Sequence, residues 1–140
     1  MENSRSSFEV INEGRIQLAI VIYHSANEKG GRFYTSDLDQ FQLGFHIREK
    51  GYKSKPHYYE REPVTIQDPI QEILHIVNGK ILMVLYGIDK KTIISKKQLK
   101  SGDTIILTGH GAHATEFLED SKILEIKQGP FTGNERVDVV

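Results

Sequence analysis

Histidines and one glutamate are the side chains of this sequence that could hold a metal ion or move a proton. The histidines are His24, His46, His57, His75, His110 and His113. The chain has no cysteine, which excludes disulfides, thiolate nucleophiles and thiolate zinc sites. Chemistry at a metal or by proton transfer must therefore use imidazole, carboxylate and hydroxyl groups.

Glu72 is a carboxylate that the sequence places among apolar residues. It begins a predicted strand, 72–77, and alternation places it on the same face as apolar residues of that strand. A carboxylate on a half-buried face is costly unless it is paired or bound to a metal. If strands 72–77 and 104–108 share one small barrel, Glu72 can converge with His57 and His113. Two imidazoles and a carboxylate suit one divalent ion with open positions, and Fe, Mn, Ni, Co and Zn all remain possible.

Short β-strands are the elements that must position these residues. Strands are predicted over 8–11, 15–23, 41–48, 72–77, 80–88, 92–99, 104–108, 114–119 and 122–127. Turn signals separate them: Asn78-Gly79 predicts a hairpin of 72–77 with 80–88, and 114–119 is expected to pair with 122–127. This spacing predicts an all-β sandwich or barrel. Only residues 36–44 could hold a helical turn. Residues 60–71, with two prolines, are expected to form a loop.

Composition excludes several classes of partner. The 18 basic residues nearly balance the 19 acidic ones, so we expect neither nucleic acid nor an anionic membrane as a partner. The most apolar runs, 16–23 and 81–86, are too short to span a bilayer, and the N-terminus has no signal-peptide run. We expect a cytoplasmic protein in which residues 1–140 form one domain.

Two stretches resemble the two sequence motifs of the cupin superfamily. The first motif reads G(X)5HXH(X)3–4E(X)6G. This chain has Gly51, five residues, His57, then Tyr59 in place of the second histidine. After a connection longer than usual come Glu72, six residues and Gly79.

The second cupin motif reads G(X)5PXG(X)2H(X)3N. This chain has Gly102, Thr108 in place of the proline, His110 in place of the inner glycine and His113 as the histidine. Phe117 replaces the asparagine. Both motifs keep their register and occur in order, in a chain rich in strands.

The resemblance implies an all-β, jelly-roll-like cupin barrel or sandwich of antiparallel strands. It also implies that His57, Glu72 and His113 bind one divalent metal ion. Tyr59 is not expected to be a ligand, because a phenol with a pKa near 10 keeps its proton in most divalent sites. We expect its hydroxyl to face the substrate or to hydrogen-bond a ligand.

The closing run, 118–133, resembles the end of small bacterial cupins that occur among surface-polysaccharide and sugar-nucleotide genes. This closer resemblance implies a sugar or sugar-nucleotide substrate and an isomerase or epimerase, or a dioxygenase if the metal is iron. The candidate proton carriers are Tyr59, His46 and Glu116.

Two further residues are candidates for substrate binding. Lys127 could bind an anionic group such as phosphate if its face of the last strand lines the barrel; otherwise it belongs to a solvated edge. His110 could contact the substrate or supply a fourth ligand, and the alternative is a turn residue that faces solvent. The apolar strand 80–86 and the habit of the family imply a homodimer.

Two other functions remain open at this stage. One is a non-catalytic cupin that binds a sugar or another metabolite as a sensor or accessory protein, which the altered fourth ligand favours. The other is a metal-free interaction module. Fold alone does not choose among these functions, because cupins support many unrelated ones.

Overall fold

Strands joined by tight turns make up most of the regular structure. The computed structural model describes residues 6–57, 59–60, 69–129, 133 and 136–139. The strands are β1 Phe8–Glu13, β2 Ile16–Ile22, β3 Gly30–Phe33, β4 Gly44–Ile47, β5 Glu72–Asn78, β6 Lys80–Tyr86, β7 Ile93–Lys100, β8 Thr104–Leu107, β9 Ala112–Phe117 and β10 Lys122–Lys127. Among these residues there is no helix, hence none that could cross a membrane. The predicted all-β class with antiparallel sheets is confirmed.

The structure differs from the sequence-based expectations at residues 36–44 and at β3, and it describes only part of the expected loop 60–71. Residues 36–44 form no helix: the amide of Asp39 donates to the carbonyl of Ser36 in a single turn, and the Asp39 carboxylate accepts the Ser36 amide at 2.9 Å. These bonds are of the kind found at a helix N-terminus, so the expected turn is present, but no helix continues from it. Strand β3 was not predicted, because Gly30-Gly31 carries little strand propensity. Of the predicted loop 60–71, residues 61–68 lie outside the described residues.

The chain divides into two compact units. The first comprises Met1–Ala26 and Pro69–Val140, and the second comprises Asn27–Asp68. In the second unit β3 pairs antiparallel with β4, so that Gly31 lies opposite His46 and Phe33 lies opposite Gly44. Each unit is described separately below.

The first unit contains two antiparallel sheets. Their strand orders are β1-β2-β8-β5-β10 and β7-β6-β9. One core cluster joins them, with Val21, Ile76 and Ile105 from the five-stranded sheet and Ile81 and Met83 from the three-stranded sheet. The two sheets therefore face each other across a shared apolar layer. Among the described strands, neither sheet closes on itself.

The turn between β7 and β8 explains one of the motif glycines. Gly102 has a φ of 90°, and an added Cβ would overlap the ring of His24. The next residue, Asp103, is buried, and its carboxylate accepts the amides of His24 at 3.0 Å and Lys100 at 2.9 Å. This turn fixes the start of β8, which lies beside β5 in the sheet.

Candidate functional site

Strands β5 and β9 bring together two of the three residues predicted to bind a metal. Nε2 of His113 lies 3.4 Å from Oε2 of Glu72. Glu72 is the first residue of β5, on the face that also carries the core residues Leu74 and Ile76. His113 lies opposite the core residue Leu85 of β6. The contact therefore crosses from the five-stranded sheet to the three-stranded sheet.

Lys127 lies beside this pair. It is opposite Glu72 in the antiparallel pairing of β10 with β5, and side chains paired in this way have Cβ atoms about 5 Å apart. Alternation places it on the face of Ile123, which packs against the core. The face of β10 that carries Lys127 is therefore directed toward the space between the sheets, as a role for Lys127 in this site requires.

The environment of Glu72 favours its ionised form. The hydrogen bond from His113 is the main cause that lowers the pKa of Glu72 below its usual value. Partial burial opposes this effect, while the positive charges of His113 and Lys127 add to it. The side chains keep 21 % (Glu72) and 34 % (His113) of their surface exposed. The pair thus offers an anionic oxygen and an imidazole nitrogen that solvent can reach.

The distance between the two side chains fits shared coordination of one ion. Zinc binds nitrogen and oxygen ligands at about 2.1 Å, so two ligands in a tetrahedral arrangement lie about 3.4 Å apart. Glu72 Oε2 and His113 Nε2 have that separation already. Within the part of the chain that the structure describes, no three His, Asp or Glu side chains form a metal-binding cluster.

A small cavity lies next to His113. It is lined mainly by apolar side chains and by glycines: Leu18, Leu85, Tyr86, Leu107, Gly109, Gly111, Ala112 and His113. Its volume is about 10 Å³, which holds roughly one water molecule. A substrate of the pair must therefore bind on the solvent-exposed side of Glu72 and His113, not in this cavity.

The loop before His113 is held at two points. Thr108, which replaces the motif proline, is buried, and its hydroxyl lies 2.8 Å from the carbonyl oxygen of Gln17 and 3.1 Å from that of Leu18. The ammonium group of Lys90 donates to the carbonyl of His110. His110 itself is exposed in this loop, three residues before His113.

Glu116 is not brought to the pair. It lies opposite Leu82 in the pairing of β9 with β6, whereas His113 lies opposite Leu85. Positions 113 and 116 of one strand are on opposite faces, because successive side chains alternate. Glu116 therefore points away from the face that carries His113.

The remaining predicted site residues belong to the second unit. The rings of His57 and Tyr59 meet edge to face, with centroids 5.6 Å apart. Nδ1 of His57 lies 2.6 Å from the carbonyl oxygen of Lys55, so Nδ1 carries the proton and the neutral ring keeps a lone pair on Nε2. Metal-binding histidines commonly make this bond to a carbonyl. His46 on β4 contacts Phe33 edge to face at 6.1 Å.

A second carboxylate that crosses between the sheets of the first unit was not predicted. Glu9 on β1 accepts a hydrogen bond from the Tyr23 hydroxyl at 2.7 Å and from the Lys97 ammonium at 2.8 Å. Its partners lie 14 and 88 positions away in the chain. Only the strand order brings Lys97 close, and the sequence carries no motif for it.

The comparisons with known proteins leave this site to be argued from its own residues. No family model matches the chain, and neither a curated protein nor a solved structure does.

Proposed function

We propose that the chain is a metal-binding cupin, a jelly-roll-like antiparallel sandwich formed by residues 1–140 as one domain. The observation that carries the proposal is the contact between Glu72 and His113 across the two sheets. These residues occupy the glutamate position of the first cupin motif and the histidine position of the second. Two sequence stretches that resemble a two-part metal site thus supply side chains that touch.

By the resemblance to the first cupin motif, the role of third ligand falls to His57, which belongs to the second unit. Its Nε2 keeps the lone pair that a metal needs, because Nδ1 donates to the Lys55 carbonyl. Tyr59 is next to His57, 89 % exposed, and keeps its hydroxyl for the substrate. A bound divalent ion would supply a Lewis acid that binds adjacent substrate oxygens and polarises a carbonyl group.

The proposed substrate is a small oxygenated molecule, a sugar or sugar nucleotide of surface-polysaccharide metabolism, and the proposed reaction is isomerisation or epimerisation. An isomerase moves a proton between neighbouring carbon atoms, whereas an epimerase removes a proton from one carbon and returns one to its opposite face. Both reactions need a proton carrier. Tyr59 and His46 are the candidates. Glu116 receives no role, because it lies on the other face of β9 from His113.

Two residues of the first unit are proposed to contact the substrate. Lys127 offers a positive charge beside Glu72, where an anionic group of the substrate can pair with it. His110 offers an exposed imidazole on the loop that leads to His113. The homodimer is a proposal of the same kind: the outer face of β6 keeps Leu82, Val84 and Tyr86 half-buried, which suits a sheet surface that meets a second copy.

A non-catalytic sugar-binding or metabolite-binding cupin is the second candidate. Tyr59 at the position of the usual fourth ligand favours it, since binding needs fewer metal ligands and no proton carrier. Both candidate functions include a bound metal ion, but only the enzyme converts its ligand into a product.

The full chain, purified without a metal-affinity tag, tests both candidates. Elemental analysis should find about one divalent ion per chain, as a site built from deprotonated ligands predicts. A thermal-shift screen over nucleotide sugars should then find a stabilising ligand. If that ligand exchanges a carbon-bound proton with D2O, the protein is an enzyme; if it does not, the binding function stands. Metal-free protein would contradict both candidates.

A further inference from the structure

Among the described residues of the second unit, two arginines stack on tyrosine rings, and one of the two forms an ion pair with a described carboxylate. The guanidinium of Arg32 lies 4.7 Å from the ring centre of Tyr34 and forms an ion pair with Glu28. The guanidinium of Arg48 lies 4.3 Å from the ring centre of Tyr52. Among the described residues, no Asp or Glu forms an ion pair with Arg48.

Arg48 belongs to a row of exposed side chains on one face of the β3–β4 hairpin. His46 lies opposite Gly31, and Phe33 lies opposite Gly44, so alternation puts Phe33, His46 and the following Arg48 on one face. The ring of Phe33 contacts His46 edge to face, and 53 % of the Phe33 surface is exposed. Arg48 is exposed as well. This row, Phe33, His46, Arg48 and Tyr52, is called the hairpin face below.

A turn holds Tyr52 over the guanidinium. The amide of Tyr52 donates to the carbonyl of Glu49 at 3.2 Å, which closes a four-residue turn. Gly51 at the third position has a φ of 95°, a conformation that such turns reserve for glycine. The first glycine of the motif thus serves to return the Tyr52 ring to Arg48. The neighbouring carboxylate of Glu49 lies 3.6 Å from the ammonium of Lys29.

A glycine makes room for the guanidinium on the other side. A Cβ added to Gly31 would lie 3.2 Å from Nη2 of Arg48 and 3.2 Å from the imidazole of His46. Arg48 and His46 therefore lie close to the backbone of β3, where a larger residue would displace them. The guanidinium therefore lies between this glycine and the Tyr52 ring, and stacking on the ring favours one orientation of its plane.

We propose that the hairpin face binds a phosphate ester that carries a flat ring. An arginine fork binds phosphate oxygens through two parallel hydrogen bonds, and a fixed plane makes those bonds selective. The exposed ring of Phe33 offers an apolar surface next to that fork for the flat part of the ligand. The site is argued from the second unit alone and goes beyond the metal site proposed above.

Inorganic phosphate and phenyl phosphate, titrated into the ¹⁵N-labelled full chain and followed by NMR, test the proposal. We expect both to shift the Arg48 and Gly31 signals, with tighter binding of phenyl phosphate. Arg48→Gln should raise both dissociation constants at least about tenfold, the usual value of a charge-assisted hydrogen bond. Arg32→Gln is the matched control, since it removes an arginine that also stacks on tyrosine, and both constants should stay within about twofold. Equal losses in the two variants, or no binding of either probe at roughly 10 mM, would overturn the proposal.

Two further variants separate geometry from charge. Gly31→Ala keeps every charge, and the φ of Gly31 lies outside the left-handed region, so the backbone accepts alanine. Its Cβ would lie 3.2 Å from Arg48 and His46, so both side chains must shift by a few tenths of an ångström, and both probes should bind about threefold more weakly. Phe33→Leu should remove only the preference for phenyl phosphate. If phenyl phosphate remains preferred in Phe33→Leu, the role given to the flat ring is wrong.

Discussion

Two carboxylates of the first unit reach from the five-stranded sheet to the three-stranded sheet, and they have different partners. Glu9 accepts from Lys97 and from the hydroxyl of Tyr23, at 2.8 and 2.7 Å. Glu72 meets the imidazole of His113 at 3.4 Å, with Lys127 opposite it on the next strand. Lysine keeps its charge at neutral pH, whereas imidazole can lose its proton.

This difference separates a structural contact from a site that can bind a ligand. Both oxygens of Glu9 are engaged at hydrogen-bonding distance by groups that do not bind metals at neutral pH. Glu72 and His113 are both common metal ligands, and a metal can replace the proton between them. A pair of charged residues between two sheets thus points to a binding function when both partners can be metal ligands.

Neutralising Glu72 or Glu9 should give the largest difference between the two contacts, and the difference should be in metal affinity. Glu72→Gln keeps the size of the side chain but removes the charge that a neutral-imidazole site needs. We expect its metal affinity to fall at least about 100-fold, beyond the loss seen when groups that merely support metal ligands are changed. Glu9→Gln is the matched control and should retain the full metal content. Metal analysis of both variants from parallel preparations measures the contrast, and full metal content in Glu72→Gln would rule out the proposed ligand set.

For the stability of the metal-free protein, the Glu9 variant should lose more than the Glu72 variant. Glu9→Ala leaves the ammonium of Lys97 and the buried hydroxyl of Tyr23 without their acceptor. We expect the free energy of unfolding to fall by about 1–2 kcal/mol. Glu72→Ala should cost less than about 1 kcal/mol, because its partly exposed pair is screened by solvent. Urea unfolding in the presence of a chelator measures both values. If Glu72→Ala loses as much stability as Glu9→Ala, Glu72 has the same structural role as Glu9, and the two contacts do not differ as proposed.

The pH dependence of stability should identify the Glu72 contact. Its pKa is lowered in the folded protein, mainly by the hydrogen bond from His113. The ionised carboxylate therefore stabilises the fold at pH values above the usual value of 4.5, and this contribution disappears as the pH falls through the lowered pKa. The free energy of unfolding of the metal-free protein should differ between the wild type and Glu72→Gln at neutral pH. This difference should shrink as the pH falls below 4.5 and through the lowered pKa of Glu72. A difference that stays constant would mean that the contact with His113 is not made in solution.

Tyr59→Phe should have the smallest effect. It removes only a hydroxyl that we assign to the substrate, so metal content should equal that of the wild type. Tyr59→His should tighten metal binding instead, because it restores the usual fourth ligand. Metal titrations of the two variants measure this, and an empty site in Tyr59→Phe would make the tyrosine a ligand.

Local sequence patterns predicted the all-β class and most strand positions. The bounds predicted for β10, 122–127, agree with the structure. The hairpin predicted at Asn78-Gly79 is wrong, because β5 pairs with β8 and β10, whereas β6 pairs with β7 and β9. The predicted pairing of 114–119 with 122–127 is wrong as well, since β9 pairs with β6 and β10 pairs with β5. The pairing of β5 with β10, which places Lys127 opposite Glu72, depends on contacts between distant segments that no local period encodes.

The candidate site was predictable only where a motif named its residues. Glu72 and His113 stand at motif positions, and the structure places them together. Glu9, Lys97 and Arg48 belong to no motif. Contacts of this kind follow from the tertiary arrangement and from single turns, such as the one at Gly51.

The location of a bound metal tests the central claim most directly. Crystals of the full chain grown with Zn²⁺, measured at the zinc absorption edge, should show one anomalous peak between Glu72 and His113. We expect it at about 2.0–2.2 Å from Oε2 of Glu72 and from Nε2 of His113, the usual zinc distances. A peak elsewhere, or an unoccupied Glu72–His113 contact in crystals that contain zinc, would contradict the claim that these two residues hold the metal.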